Sequence, residues 1–242
     1  MAPHIDTTDR TQAGDAAASQ RWVSFSKGTA ALAHVPKQVL AKRVQEHSTK
    51  TTINQEKLHV LEIACGGGHY GQQILRTLPH AHVTLQDQTD VIAALKEEFP
   101  TDLKDRATFV SGSAFEVEYQ NPTDGFDVII ISHFFHHFKW EENTALLKHL
   151  QKVAASKGGT KKNTLWAVHD FMRPDNPSEW HLDPFVVSFD LVMLATTPYG
   201  RTYSLEEYRR LLTTSVLEGG KDTNFEHVPN TPAPSSWLFA MS

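Results

Sequence analysis

The stretch Val60-Leu61-Glu62-Ile63-Ala64-Cys65-Gly66-Gly67-Gly68-His69-Tyr70-Gly71 puts an acid near the end of an apolar run, just before a glycine bend that opens a helical pattern. Bare backbone lets a ligand approach where a side chain would block it, and the N–H groups of a helix start add donors, so a nucleoside-type ligand is implied. Gly66, Gly68 and Gly71 also satisfy the G-x-G-x-x-G dinucleotide spacing, which alone is weak evidence. Glu62 argues against a pyrophosphate, which an acid at the strand end would repel, and in favour of a ligand carrying positive charge. Asp87 follows Gly66 by about 20 residues, near the spacing at which an acid accepts ribose hydroxyls in such folds. Cys65, beside the glycines, reads as a small buried filler rather than a nucleophile.

A second group of residues with chemical capacity is histidine-rich. His133, His136 and His137 lie within Asp127 to Asn143, and His169 precedes Asp170. Histidines three or four apart share a helical face and could bind a metal. This segment mixes strand and turn, however, and no cysteine or clear ligand set completes a site, so no metal is expected.

These residues need a frame that brings them to one edge. Apolar runs at Leu58 to Ile63, His82 to Leu85, Ala107 to Val110, Val128 to Ile131 and Thr164 to Val168 predict buried strands. Helical patterns at Tyr70 to Thr77, Asp90 to Phe99 and Glu141 to Ala155 lie between most of them. The alternation predicts an α/β fold, a parallel sheet with helices on both faces. Trp22 to His47 reads as a lead-in helix pair, with Pro36 opening a helix at its first turn. Ser204 to Leu212 reads as a helix with Ser204 as N-cap and Glu207 as its reciprocal partner. Asn224 to Val228 and Ser236 to Met241, joined by the proline-rich turn Pro229 to Pro234, are too closely connected for a crossover and must pair antiparallel.

The bulk numbers bound the answer. With 242 residues, 40% hydrophobic and 21% charged, the chain suits one folded α/β domain, here residues 21–242 after a mobile tail over 1–20. A net charge of −5 disfavours a nucleic-acid partner. One cysteine forms no internal disulfide, the first residues lack an apolar leader, and no run long enough to span a membrane occurs. A cytoplasmic location without membrane contact is the expectation, as a monomer or homodimer.

Five alternating units closed by a hairpin resemble the Rossmann-like, seven-stranded, mostly parallel sheet of the class I S-adenosylmethionine-dependent methyltransferases. The glycine run resembles their acid-x-Gly-x-Gly-x-Gly pattern, with Ala64 in place of the first glycine, a small departure if alanine needs only ordinary φ there. The resemblance implies S-adenosyl-L-methionine as cofactor, with Glu62, Gly66, Gly68, Asp87, Gln88 and Ser132 around it. Gly112-Ser113-Ala114-Phe115 falls where small-molecule O-methyltransferases carry a Gly-Asp dipeptide and an aromatic residue beside the adenine, so Ser113, Ala114 and Phe115 join this set.

Asp127 to Asn143 resembles the O-methyltransferase segment in which a strand leads to Leu-His-Asp-Trp, with His136 on the family's general base. An imidazole near pKa 6.5 is mostly unprotonated at neutral pH and suits removal of a proton from a phenol of pKa about 10. Asp170 matches the family acid at the next strand end, so His136 and Asp170 are the candidate catalytic pair. His137 replaces the family's Asp after the base, and Thr202 replaces a further acid, which leads to the expectation of a less firmly held base. The resemblance places the small-molecule acceptor against His133, His137, Phe171, Trp180, Phe185, Phe189 and Met193, and favours an aromatic hydroxyl. Phe185, Phe189 and Met193 form one apolar stripe at helical spacing. The family's large N-terminal dimerisation domain is expected to be absent, with Trp22 and Phe25, before the first strand, as candidates for a lid.

Three other readings stay open. The fold could bind S-adenosylmethionine for an elimination or rearrangement, or serve as a non-catalytic module. An NAD-dependent dehydrogenase is opposed by Glu62 and by the terminal hairpin.

Overall fold

Continuous apolar runs favour strands covered on both faces, and the centre of the sheet follows that rule. In the computed structural model, β4 (Val128–Ser132) is buried from Val128 to Ile131, and β5 (Leu165–Asp170) is buried throughout. The structure describes residues 32–50, 57–119, 125–154, 164–217, 224–229 and 235–241, with Ser24 and Ala30. The expected tail, the expected lid residues Trp22 and Phe25, Ala155 and most of the Pro229 to Pro234 turn lie outside the described residues.

β1 (Leu58–Ile63), β2 (Ala81–Asp87), β3 (Ala107–Ser111), β4, β5, β6 (Phe225–Val228) and β7 (Ser236–Met241) form one sheet in the order β3-β2-β1-β4-β5-β7-β6. β1 to β5 pair in parallel, and β7 runs antiparallel to both β5 and β6. The expected hairpin therefore inserts its second strand beside β5. Because β1 sends its successor to one side while β4 lies on the other, the order reverses between β1 and β4, and a crevice opens beyond the carboxyl ends of these strands.

Alternate side chains of the sheet feed two cores. On one face α1 (Pro36–Lys50), α2 (His69–Thr77) and α3 (Thr89–Glu98) cover Val60, Val83, Ile130 and Phe239. On the other, α4 (Trp140–Ala154) and α6 (Leu205–Ser215) cover Leu61, Ile129, Trp166 and Leu238. Pro36 opens α1 as expected, and its carbonyl accepts from the buried Trp237 indole at 3.2 Å, tying α1 to β7. α6 carries the expected capping box: the Ser204 hydroxyl accepts from Glu207 N at 3.2 Å, and the Glu207 carboxylate accepts from Ser204 N at 2.7 Å. α5 (Pro184–Thr196) is different, with only Val186 and Met193 buried. Among the described residues, no helix is long and apolar enough to cross a membrane.

The sequence runs stop short of the strand ends. β2 continues through Gln86 and Asp87, and β5 through His169 and Asp170. These polar residues interrupt the apolar pattern while their backbones stay in the ladder, paired with Val110, Ser111, Trp237 and Ser236.

Gly71 is where α2 meets the sheet. A Cβ there would lie 2.8 Å from the Glu62 carboxylate and 2.9 Å from both Leu85 and Val83 side chains. Gly71→Ala is expected to destabilise by about 1–3 kcal/mol, the usual cost of overpacking a filled site. That corresponds to a fall of roughly 2–4 °C in Tm per kcal/mol for a domain of this size. An unchanged Tm in a thermal melt would show that α2 is free to move away from β1.

Candidate active site

The chain leaves β1 through three left-handed residues: Ala64 (φ 51°), Gly66 (φ 53°) and Gly68 (φ 62°). The expectation that Ala64 needs only ordinary φ is overturned. Ala64 adopts the conformation glycine occupies freely, and an L-residue holds it only under constraint. The constraint is visible in Gln86, a buried side chain that accepts from Ala64 N at 3.3 Å and donates to the Gly112 carbonyl at 2.7 Å. Gln86 thus clamps the bend after β1 to the bend after β3. Sequence reasoning missed it, since only a buried amide at the end of an otherwise apolar strand marked it.

The same edge carries the predicted cofactor residues. Asp87 accepts from Gly66 N at 2.7 Å through one oxygen and from Gln88 N at 2.7 Å through the other, while the Gln88 side chain is exposed. Burial pushes the Asp87 carboxyl up, and the two backbone bonds partly reverse this. Glu62 is 1% exposed and accepts from Gly71 N at 2.8 Å, at the start of α2. Its carboxyl is raised to about 8, chiefly by burial, with the Asp87 charge adding to the rise and the α2 backbone bonds opposing it. Ser113 accepts from Phe115 N at 3.3 Å, Ala114 is buried, and the Phe115 ring packs against Phe134 and Phe138. The Cys65 thiol is buried and pushed well up by that burial and by the Asp87 and Glu62 carboxylates, so it is a neutral filler.

These features fit an adenosyl ligand with positive charge. The bend presents bare backbone, a carboxylate stands at the next strand end, and a second acid lies behind the bend in a position that anionic phosphates would not favour. Gly68 caps α2 without a side-chain bond of its own, and the Glu62 carboxylate takes Gly71 N in the first turn.

Across the crevice, the 3₁₀ turn Phe135–His137 follows β4 and places His136 against the end of β5. His136 Nδ1 lies 2.6 Å from Asp170 Oδ1, with His136 3% and Asp170 0% exposed. An ionised carboxylate only accepts, so Nδ1 donates. Asp170 also accepts from Phe171 N at 2.9 Å and from the Tyr208 hydroxyl at 2.8 Å. Burial alone would raise the Asp170 carboxyl, but the His136 ring, with help from His133 and Tyr208, holds it well below the ordinary value. The expectation of a loosely held His136 is overturned: Asp170 takes the orienting role, braced by Tyr208 from α6. Thr202 lacks the family acid, yet its N–H and hydroxyl donate to Asp190 Oδ1 at 2.5 and 2.8 Å, so a carboxylate reaches this place from α5.

Of the residues expected to line an acceptor, several converge and one does not. His137 packs on His136 with ring centroids 4.3 Å apart, Phe189 meets it edge-on at 5.2 Å, and Phe171 and Phe189 lie 4.4 Å apart. Phe185 stacks on Phe189 and is 52% exposed, while Met193 is buried. Trp180 instead donates to the Pro174 carbonyl and lies under the Arg173 guanidinium. His133 has φ 49° and a ring 4.7 Å from both His169 and Phe171, and burial lowers its pKa to about 4. Ser132 and the Tyr70 hydroxyl approach His169 Nδ1 at 3.5 and 2.9 Å.

Comparison with known proteins agrees with this fold. A family model described as a methyltransferase domain matches residues 61–160. An O-methyltransferase of the Hps1-dma1 cluster of Dothistroma septosporum is 26% identical over 153 residues, covering 63% of this chain and 33% of that protein. The crystal structure of a candidate O-methyltransferase from Nostoc punctiforme superposes with a TM-score of 0.73 at 26% identity, covering 91% of this chain and 60% of that one. Human N-acetylserotonin methyltransferase in complex with S-adenosylmethionine superposes with a TM-score of 0.68 at 16% identity, covering 93% and 56% respectively. This chain therefore spans about a third of the curated relative and under two thirds of the solved structures. The seven-stranded sheet, the glycine bend and the matched domain together give the chain the Rossmann-like fold of the class I S-adenosylmethionine-dependent methyltransferases and make it similar to the O-methyltransferases.

Proposed function

We propose that the chain transfers a methyl group to a hydroxyl of a small aromatic molecule, with His136 as general base. The observation that carries this reading is the 2.6 Å bond from His136 Nδ1 to the buried Asp170. With the ring hydrogen committed to Asp170, Nε2 bears the lone pair and is the nitrogen available to an acceptor hydroxyl. Taking that proton creates an imidazolium next to a carboxylate already ionised, which stabilises the charge as the oxygen attacks. S-adenosylmethionine supplies an electrophilic methyl carbon on its sulfonium. What remains for the protein is alignment, to which Phe171, Phe189 and Phe185 contribute as an apolar wall and His133 and His137 as polar neighbours.

On the cofactor side we assign the ribose to Asp87 and Gln88, the adenine to Ser113, Ala114 and Phe115, and the backbone approach to Gly66, Gly68 and Ser132. Glu62 answers the positive charge from behind the bend. The negative surplus of the chain and its aromatic wall favour a small acceptor over a nucleic acid.

His136→Gln is expected to lower kcat by about 10²–10⁴-fold, the usual worth of a positioned base, with cofactor affinity unchanged. Asp170→Asn should lower kcat as well. The measurement is mass spectrometric detection of a 14 Da gain (~14 for CH₂) on a phenol panel. Undiminished turnover in His136→Gln would remove the base assignment.

Glu62 gives a proton-linked prediction. In the ligand-free chain its carboxyl titrates near 8, and a bound cation lowers that value. Cofactor affinity should therefore rise with pH up to about 8 and then level off, with close to one proton released at pH 7. Calorimetry in buffers of different ionisation enthalpy measures the release. Glu62→Gln should abolish it and weaken binding about tenfold, equivalent to ~1.4 kcal/mol. Equal affinity and no proton release in both proteins would show that Glu62 only supports the start of α2.

A further inference from the structure

His133 is costly as it stands. It is a non-glycine residue at φ 49°, fixed there by its N–H donating to the His169 carbonyl at 2.8 Å. Both its ring nitrogens are buried, and neither has a hydrogen-bond partner among the described residues. A buried polar atom without a partner costs about 1–3 kcal/mol, and this ring carries two such nitrogens. The methyl-transfer reading uses His133 only as a neighbour of the acceptor and leaves both nitrogens unexplained.

The ring faces the Asp170 carboxylate. His133 Nδ1 lies 3.8 Å from Asp170 Oδ1, too far for a hydrogen bond, and His136 Nδ1 lies 2.6 Å from the same oxygen. One ligand atom from each of His133, His136 and Asp170 falls within 4.8 Å of the others. The histidine segment alone lacks a third ligand of another element, and the end of β5 provides it. His169, although its ring is close to His133, holds Nδ1 to the Tyr70 hydroxyl and is not among the residues whose ligand atoms converge. From the geometry, we infer that His133, His136 and Asp170 form a binding site for a divalent transition ion such as Zn²⁺, and that an ion there blocks methyl transfer.

Two imidazoles and one carboxylate form a donor set suited to zinc, cobalt or iron, and less suited to magnesium or calcium, which prefer all-oxygen shells. Zinc binds nitrogen and carboxylate oxygen at about 2 Å, so its donors stand about 3 Å apart. The His136–Asp170 edge at 2.6 Å already falls near this spacing, the His133–Asp170 edge has to close by under ~1 Å, and the His133–His136 edge, within 4.8 Å, by under ~2 Å. Hydrogen balance fixes the consequence. An ion on His136 Nδ1 takes the lone pair of that nitrogen, so the hydrogen it carried moves to Nε2. The ring stays neutral, but Nε2 becomes a donor and no longer accepts the acceptor's proton. The ion site follows from geometry alone, whereas the blocking effect rests on the base assignment given above.

The test uses the full, tag-free chain, stripped with a chelator and titrated with Co²⁺, whose visible absorption reports nitrogen and oxygen ligation, followed by competition with Zn²⁺. One ion per chain is expected. His133→Ala should weaken it by at least the upper end of the roughly 10–100-fold that altering a ligand's supporting partner costs. His133→Ala keeps the His136–Asp170 bond, so loss of the signal does not reflect loss of that pair, and a thermal melt confirms that the variant is folded. No change in the Co²⁺ spectrum, or equal affinity in wild type and folded His133→Ala, overturns the ion site and leaves the base assignment untouched. In a parallel assay Zn²⁺ should inhibit methyl transfer with the midpoint of its binding, reversibly with chelator. Binding without inhibition overturns the blocking effect and the base assignment on which it rests.

Discussion

A carboxylate sealed inside a protein must be satisfied from every side or it loses its charge, and Asp170 meets that condition through donors on separate elements. The His136 ring arrives from the turn after β4, the Tyr208 hydroxyl from α6, and Phe171 N from the chain's own continuation. Withdrawing any one would leave part of a buried charge uncompensated, which is far more costly than losing an exposed pair. The active edge on this side of the crevice is therefore positioned as a unit. β4, β5 and α6 cannot shift against one another without disturbing the charge that keeps His136 in one tautomer.

The cofactor side is held by a different means. There the backbone itself is the proposed binding surface, and its shape comes from a run of left-handed residues that includes an alanine. Side chains from β2 fix that shape: Asp87 takes Gly66 N, and Gln86 takes Ala64 N while reaching across to the carbonyl of Gly112. The parallel register makes this possible, because Gln86 is paired with Ile63 on one side and Val110 on the other. Two bends on either side of β2 are thus locked by a single amide.

The departures from the O-methyltransferase pattern have physical replacements. Thr202 has no carboxylate, but Asp190 brings one to its hydroxyl and N–H from α5. His137 does not orient His136 as an acid would, but its ring packs on it. Among the described residues, His133 combines strain with two buried nitrogens that its neighbours do not satisfy, a local inconsistency of the kind expected at functional sites.

The sequence by itself determined the layered architecture, the seven strands, the antiparallel closing pair and the capping box at Ser204. These depend on periodicity and on contacts between near neighbours in the chain. It also singled out Glu62, Gly66, Gly68 and Asp87, because glycine bends and acids at the ends of apolar runs keep a fixed spacing along the chain, and His136 through the resemblance of its segment to that of the O-methyltransferases. Only the tertiary structure decided what surrounds them. The partnership of Asp170 with Tyr208 joins residues 38 apart, and the Gln86 clamp reaches Gly112 across 26. The left-handed φ of Ala64 is imposed by neighbouring strands and not by the alanine. Such features arise where strands distant in sequence end side by side, and residue type and order carry no record of which ends will meet.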